Sequence, residues 1–197
     1  MKKLTILYLL LTSVLLSNCF ALDTGTSATN FTLKSFQGDE VKLSDYSDKI
    51  VVLEWTNPGC PYVKKHYENG DMQALQKKYR DKGVVWLSVN STNAEHKDFL
   101  DLEKAKSIAD DWKIDSKFML ADTDGKVGQA YAAKTTPHMF VINKGKLVYQ
   151  GAIDDNSDYS SNPAKDNNYV VKALDQVLAG KEVSENKTKQ YGCGVKY

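Results

Sequence analysis

The chain has 197 residues, with 26 Lys+Arg against 25 Asp+Glu, 42% hydrophobic and 26% charged residues. Those proportions exclude a disordered or collagen-like chain, and the near-neutral balance leaves no basic footprint for nucleic acid. The length suits one domain with a core large enough to fold without disulfide staples.

Met1-Lys2-Lys3 precedes about 13 mostly apolar residues, Leu4 to Leu16, followed by small and polar residues ending in Cys19-Phe20-Ala21. A positive start, an apolar run of that length and small residues at the cut form a secretory signal peptide. The run is too short to cross a bilayer core of roughly 30 Å as a helix. Cleavage is expected after Ala21, so that 1–21 is a signal peptide and the protein is exported. It would be periplasmic if the source has an outer membrane, and secreted or at the cell surface otherwise. Leu16-Ser17-Asn18-Cys19 opens a second outcome, lipidation of Cys19, and only then is a membrane a partner. Loss of residues 1–21 removes two lysines and no acidic residue, turning the formal charge from +1 to −1. Two cysteines then remain, Cys60 and Cys193, in a compartment where disulfides persist.

Residues 22–30 read as a polar leader. Phe31–Lys34 and Val41–Leu43 are short alternating runs around Gln37-Gly38-Asp39, a hairpin signal. Ile50–Trp55 is nearly continuous in apolar residues, as a strand buried on both faces would be. The turn Thr56-Asn57-Pro58-Gly59-Cys60 follows, with Pro61 suited to the first position of a helix. Helical spacing runs on to Arg80, broken at Asn69-Gly70-Asp71. Val84–Asn90 is a second central strand. Asp98–Trp112 reads as an amphipathic helix with Leu102, Ala105, Ile108 and Trp112 inward. Phe118–Leu120 is a short strand and Val127–Ala132 a short helix. Met139–Ile142 and Lys146–Tyr149 flank a turn at Asn143-Lys144-Gly145. A polar loop, 153–168, leads to a closing helix, Tyr169–Ala179, capped by Gly180. The tail is polar until Tyr191-Gly192-Cys193-Gly194-Val195-Lys196-Tyr197. The domain is read as 22–182 and the tail carrying Cys193 as 183–197.

Cys60 sits after a turn at a helix start, where unpaired N–H groups favour thiolate over thiol. Lys64, Lys65 and His66 lie within two turns and would add positive charge. The turn Asn57-Pro58-Gly59 argues for an accessible rather than a buried thiol. His66 and His138 are weak candidates as metal ligands beside Cys60, and no metal or other cofactor is expected.

The segment Glu54-Trp55-Thr56-Asn57-Pro58-Gly59-Cys60-Pro61-Tyr62-Val63 resembles the active-site segment of thioredoxin-like redox proteins. More narrowly, it resembles the exported branch related to the alkyl hydroperoxide reductase/thiol-specific antioxidant group. Thr135-Thr136-Pro137-His138 looks like that fold's cis-proline loop; Gly151-Ala152-Ile153-Asp154-Asp155 and the ending Gly192–Lys196 fit the same branch. The resemblance implies an α/β thioredoxin-like fold, with a central mixed sheet flanked by helices and an N-terminal β-hairpin. It implies Cys60 as the redox nucleophile, Glu54 as a buried proton acceptor, and Pro61, Thr136 and Pro137 as the substrate-binding surface. For Glu54, the other reading is a side chain in solvent or paired with a lysine. Val63 stands where thioredoxins carry a second cysteine, so the motif holds no resolving thiol of its own. Peroxidases of the group hold the thiolate with an arginine, and the single arginine here, Arg80, lies on the second helical stretch.

The function read from these features is an exported, thiol-dependent oxidoreductase or peroxiredoxin-like antioxidant protein. Its partners would be a disulfide-bearing protein or a peroxide, and an external thiol as electron donor. Cys193, between two glycines in a mobile tail, is the candidate resolving thiol. A reversible intrachain bond, a permanent staple of on the order of 5 kcal/mol and a bond between two chains are all open for it. The alternative from another class is a non-catalytic binding module on the same fold, chaperone-like or copper-handling.

Overall fold

The computed structural model describes residues 22–163 and 167–197; the segment read as a signal peptide, 1–21, with Cys19, lies outside the described residues. The elements follow as β1 (Thr32–Ser35), β2 (Glu40–Lys42), a 3-10 turn (Leu43–Tyr46), β3 (Ile50–Trp55), α1 (Pro61–Glu68), α2 (Asp71–Arg80) and β4 (Val85–Asn90). They continue with α3 (Leu102–Asp111), β5 (Phe118–Ala121), α4 (Lys126–Ala130), β6 (Thr135–Thr136), β7 (His138–Asn143), β8 (Lys146–Gly151), α5 (Tyr169–Leu178) and β9 (Cys193–Gly194).

Seven strands form one mixed sheet in the order β2-β1-β5-β4-β3-β7-β8. The apolar β3 lies at its centre, parallel to β4 and antiparallel to β7. Side chains of a strand alternate between its two faces, and β3 serves two cores. Val52 points into a core with Tyr67, Met72, Tyr79, Trp86 and Leu174, under α1, α2 and α5. Val51, Leu53 and Trp55 point into the opposite one with Leu87, Val89, Tyr131 and Phe140. Glu54 falls on the same side as Val52, which determines its surroundings.

The hairpin, the central strands and the break between α1 and α2, where Gly70 takes φ 76°, follow the sequence reading. α3 does not. It begins at Leu102, after Asp101 accepts the Lys104 amide at 2.8 Å, and residues before it form turns such as Phe99 N to His96 O at 2.8 Å. Leu102, read as inward, is the first residue of α3 and is 63% exposed. Ala105 is buried as expected. The leader is not idle: Gly25 and Ala28 amides bond to Leu147 and Gly145 carbonyls beside β8. The tail, read as loose, forms β9 against β6. Among the described residues no helix is long and apolar enough to cross a membrane.

Candidate active site

Cys60 ends the turn that leaves β3. The Asn57 side chain shapes this turn: its Oδ1 accepts the Gly59 amide at 2.7 Å and its Nδ2 donates to Thr92 Oγ1 at 2.9 Å. Cys60 is the N-cap of α1, with Pro61 next, and its carbonyl accepts the Val63 and Lys64 amides at 3.0 Å each. The Thr136-Pro137 peptide is cis, as the sequence suggests. Its loop faces Cys60, and the thiol donates to the Thr136 carbonyl oxygen at 3.0 Å.

The tail completes the site. Cys193 pairs with Thr136, and Gly194 with Thr135, in antiparallel register. The Cys193 side chain thereby packs against the cluster that holds Cys60, near enough for the two sulfurs to interact electrostatically. Both thiols are free, Cys60 buried and Cys193 half-buried. The expectation of an accessible Cys60 is therefore corrected: it is 3% exposed, because the tail and the Thr136 loop close over it. Burial first, and the Cys60 sulfur second, push the Cys193 thiol up to about 12. At neutral pH Cys193 is therefore held as a thiol and must release its proton before it can act as a nucleophile.

Glu54 is fully buried and has no lysine among its hydrogen-bond partners, so neither the solvent-facing nor the lysine-paired reading holds. Trp86 Nε1 and Tyr67 Oη donate to its carboxylate at 2.8 Å each, Gln76 Nε2 at 3.1 Å and Ser88 Oγ at 3.3 Å. Burial nevertheless raises its pKa, and the four donors partly oppose the rise. Its oxygens are engaged by these groups on α1, α2 and β4, with the Cys60 thiol turned to Thr136 instead.

The positive cluster expected beside Cys60 is only partly present. Lys65 is turned inward onto the Asp158 carbonyl at 3.1 Å, and burial lowers its pKa against the opposing pull of Asp154. His66 is buried, and loss of hydration brings it down to about 3, so it is neutral. His138, also buried and down to about 3, accepts the Lys134 amide at 3.3 Å. Lys64 alone keeps an exposed charge. Among the described residues no group of three or more His, Cys, Asp or Glu side chains is placed to hold a metal ion.

Three residues here escaped the sequence reading. Tyr191 donates to Asp154 Oδ1 and lies 3.2 Å from His66 Nε2. Tyr197 donates to the Ala133 carbonyl at 2.7 Å. Asp98 stands against Gly59, where an added Cβ would meet its Cγ at 3.0 Å. Two aromatics bracketing Gly-Cys-Gly in an otherwise polar tail were the available signal; Asp98 had none.

Comparison with known proteins agrees with this geometry. The model of the AhpC/TSA family matches residues 24–150. The thiol-disulfide oxidoreductase ResA of Bacillus thuringiensis subsp. konkukian is 28% identical over 133 residues, 66% of this chain and 69% of the relative. ResA of Bacillus subtilis is 31% identical over 128 residues, 63% of this chain and 64% of the relative. Among solved structures, an uncharacterized conserved protein from Geobacillus kaustophilus superposes with TM-score 0.78 at 29% identity, covering 89% of this chain and 93% of that one. A thiol:disulfide interchange protein DsbE from Chlorobium tepidum, titled as a putative one, gives TM-score 0.53 at 27% identity, over 66% and 84%. The fold is thioredoxin-like.

Proposed function

We propose that this chain, which belongs to the AhpC/TSA family and is a thiol-dependent oxidoreductase, works by disulfide exchange through the pair Cys60 and Cys193. The observation that carries this reading is that Thr136 pairs with Cys193 in strand register while its carbonyl accepts the Cys60 thiol, which sets the two thiols beside each other.

The chemistry follows from the placement of the two thiols. Cys60, at the helix start, gives up its proton and attacks one sulfur of a substrate disulfide. The Cys60–substrate bond forms, the substrate disulfide breaks, and the leaving thiolate takes a proton. Cys193 then attacks the Cys60 sulfur and breaks the Cys60–substrate bond, and the departing second substrate sulfur takes the proton that Cys193 releases. The Cys60–Cys193 disulfide remains, and two electrons have passed to the substrate. An external thiol donor returns them by the same exchange. Pro61, Thr136 and cis-Pro137 frame the approach to Cys60, and Glu54 is the buried carboxylate in the strand that leads to it.

Peroxide is the other oxidant such a thiol meets. Arg80, the group that would have to hold a peroxide, is ion-paired with Asp115. That residue precedes β5, at the opposite end of the parallel strands from Cys60, so disulfide exchange is favoured. We place the reaction in an exported compartment, after removal of residues 1–21. In support, the Leu22 carbonyl already accepts from Gln150 Nε2 at 2.9 Å on the folded domain.

The test is turnover of a model protein disulfide and of hydrogen peroxide, each with a thiol donor. Wild type should reduce the disulfide, Cys60→Ser should fall to background, and Cys193→Ser should accumulate a mixed disulfide on non-reducing gels. Wild-type turnover by Cys60→Ser would overturn the reading.

A further inference from the structure

Residues 191–197 do more than carry a thiol. Beyond the β6–β9 pair, the Val195 amide donates to the Lys134 carbonyl at 3.1 Å and the Lys196 carbonyl accepts the Asn93 amide at 2.7 Å. The edge of the Thr136 loop, which an extended polypeptide would need, is thus filled by the chain's own tail. Both ends of this segment are pinned by tyrosines. Tyr191 is set against His66, Asp154 and the Lys65 ammonium, 5.1 Å from its ring centre. The Tyr197 ring lies in a seat made by two glycines. A Cβ at Gly125 would come 2.5 Å from its Cδ1, and one at Gly128 would come 2.6 Å from its Cε1.

We propose that this segment is a strap that occupies the substrate edge of β6 and must peel away, from the Tyr197 end, before a polypeptide disulfide reaches Cys60. The inference rests on the disulfide-exchange reading and adds its gate. The direction follows from the two anchors. Tyr191 is half-buried among three polar partners, whereas Tyr197 is 44% exposed and held by one hydroxyl bond. Gly192, with φ +135°, supplies the backbone freedom for a hinge between the anchor and Cys193. Peeling exchanges the tail's backbone hydrogen bonds for those of an incoming strand, so opening replaces like with like. Return of the strap then delivers Cys193 to the mixed disulfide on Cys60.

The experiment is the rate of iodoacetamide modification of Cys60 in the reduced full-length protein, read by peptide mapping. Tyr197→Ala loses ring and hydroxyl bond and should modify about tenfold faster than wild type, as loss of one anchoring contact implies. Tyr197→Phe keeps the ring in its seat and should fall between the two. Near-UV circular dichroism checks that each variant is folded. If Tyr197→Ala does not fold, Tyr197→Phe decides alone. Equal rates in the folded variants and wild type overturn the strap. Modification of Cys60 needs no turnover, so this outcome stands apart from failure of the disulfide-exchange reading, which loss of the Cys60→Ser effect would signal.

Discussion

Thr136 and Cys193 face each other across the β6–β9 pair, and the carbonyl of the same Thr136 accepts the Cys60 thiol at 3.0 Å. One residue of the cis-proline loop therefore positions both sulfurs: one through its carbonyl, the other through backbone register. This brings Cys193, the proposed resolving thiol, beside Cys60 although the Cys60 motif has Val63 where a second cysteine would stand.

That register depends on Gly192. A Cβ there would run into the Thr136 carbonyl oxygen, at a φ of +135° that side chains rarely adopt. Gly192→Ala should push the tail off β6, cost roughly 1–3 kcal/mol, and slow formation of the Cys60–Cys193 bond under mild oxidant. Gly194→Ala, whose Cβ would meet nothing within 4 Å, should leave both unchanged. Peptide mapping of oxidised protein and urea unfolding read the two effects.

Glu54 should impose a stability trend that falls with pH. Its folded pKa is raised from 4.5 by burial, so between the unfolded and folded values the native state holds the extra proton. Stability from this group is complete below the unfolded value and is lost as pH rises through the folded one. Glu54→Gln cannot ionise. The wild-type urea midpoint should decline relative to that of Glu54→Gln as pH is raised from the acid side, and parallel profiles would refute the assignment.

The two buried histidines should act in the other direction. His66 and His138 drop from 6.5 to about 3 in the folded protein, so the unfolded chain binds protons first. Their contribution is present above about pH 6.5 and is lost as pH falls toward 3. His66→Gln, which leaves Tyr191 a polar neighbour, should flatten this acid limb of the urea midpoint. A limb as steep as in wild type would show that His66 is not buried neutral.

Export should leave Leu22 as the first residue. N-terminal sequencing of protein recovered from expressing cells is expected to begin there. A diacylated Cys19, detected by mass spectrometry, would replace this outcome with membrane attachment.

Much of this protein is legible locally. Apolar continuity places β3 and β4 at the centre of the sheet, Gly70 separates two helices, and Cys60-Pro61 marks a helix start. Each depends on a hydrogen-bond pattern or periodicity contained in a short window. The Cys-Pro turn and Thr136-Pro137 point to the two halves of the site through their resemblance to the active-site segment and cis-proline loop of thioredoxin-like proteins. Other properties arise only when distant segments meet. Leu102 keeps the right spacing for an inward residue, yet as the first residue of α3 it lies exposed. His66 looks like a positive charge beside the thiol, but packing under the tail strips its hydration and leaves it neutral. Cys60 looks accessible in its turn and is covered by residues from the far end of the chain. Whether Glu54 faces water could not be read from β3, because the groups enclosing it come from α1, α2 and β4. The identity of Cys193 as the neighbour of Cys60 was suggested by counting cysteines. Its placement comes from strand register against Thr136, a close approach that only glycine permits at 192, and a seat for Tyr197 between two glycines of the α4 segment. These are long-range steric and solvation effects, and only the folded chain brings the interacting groups together.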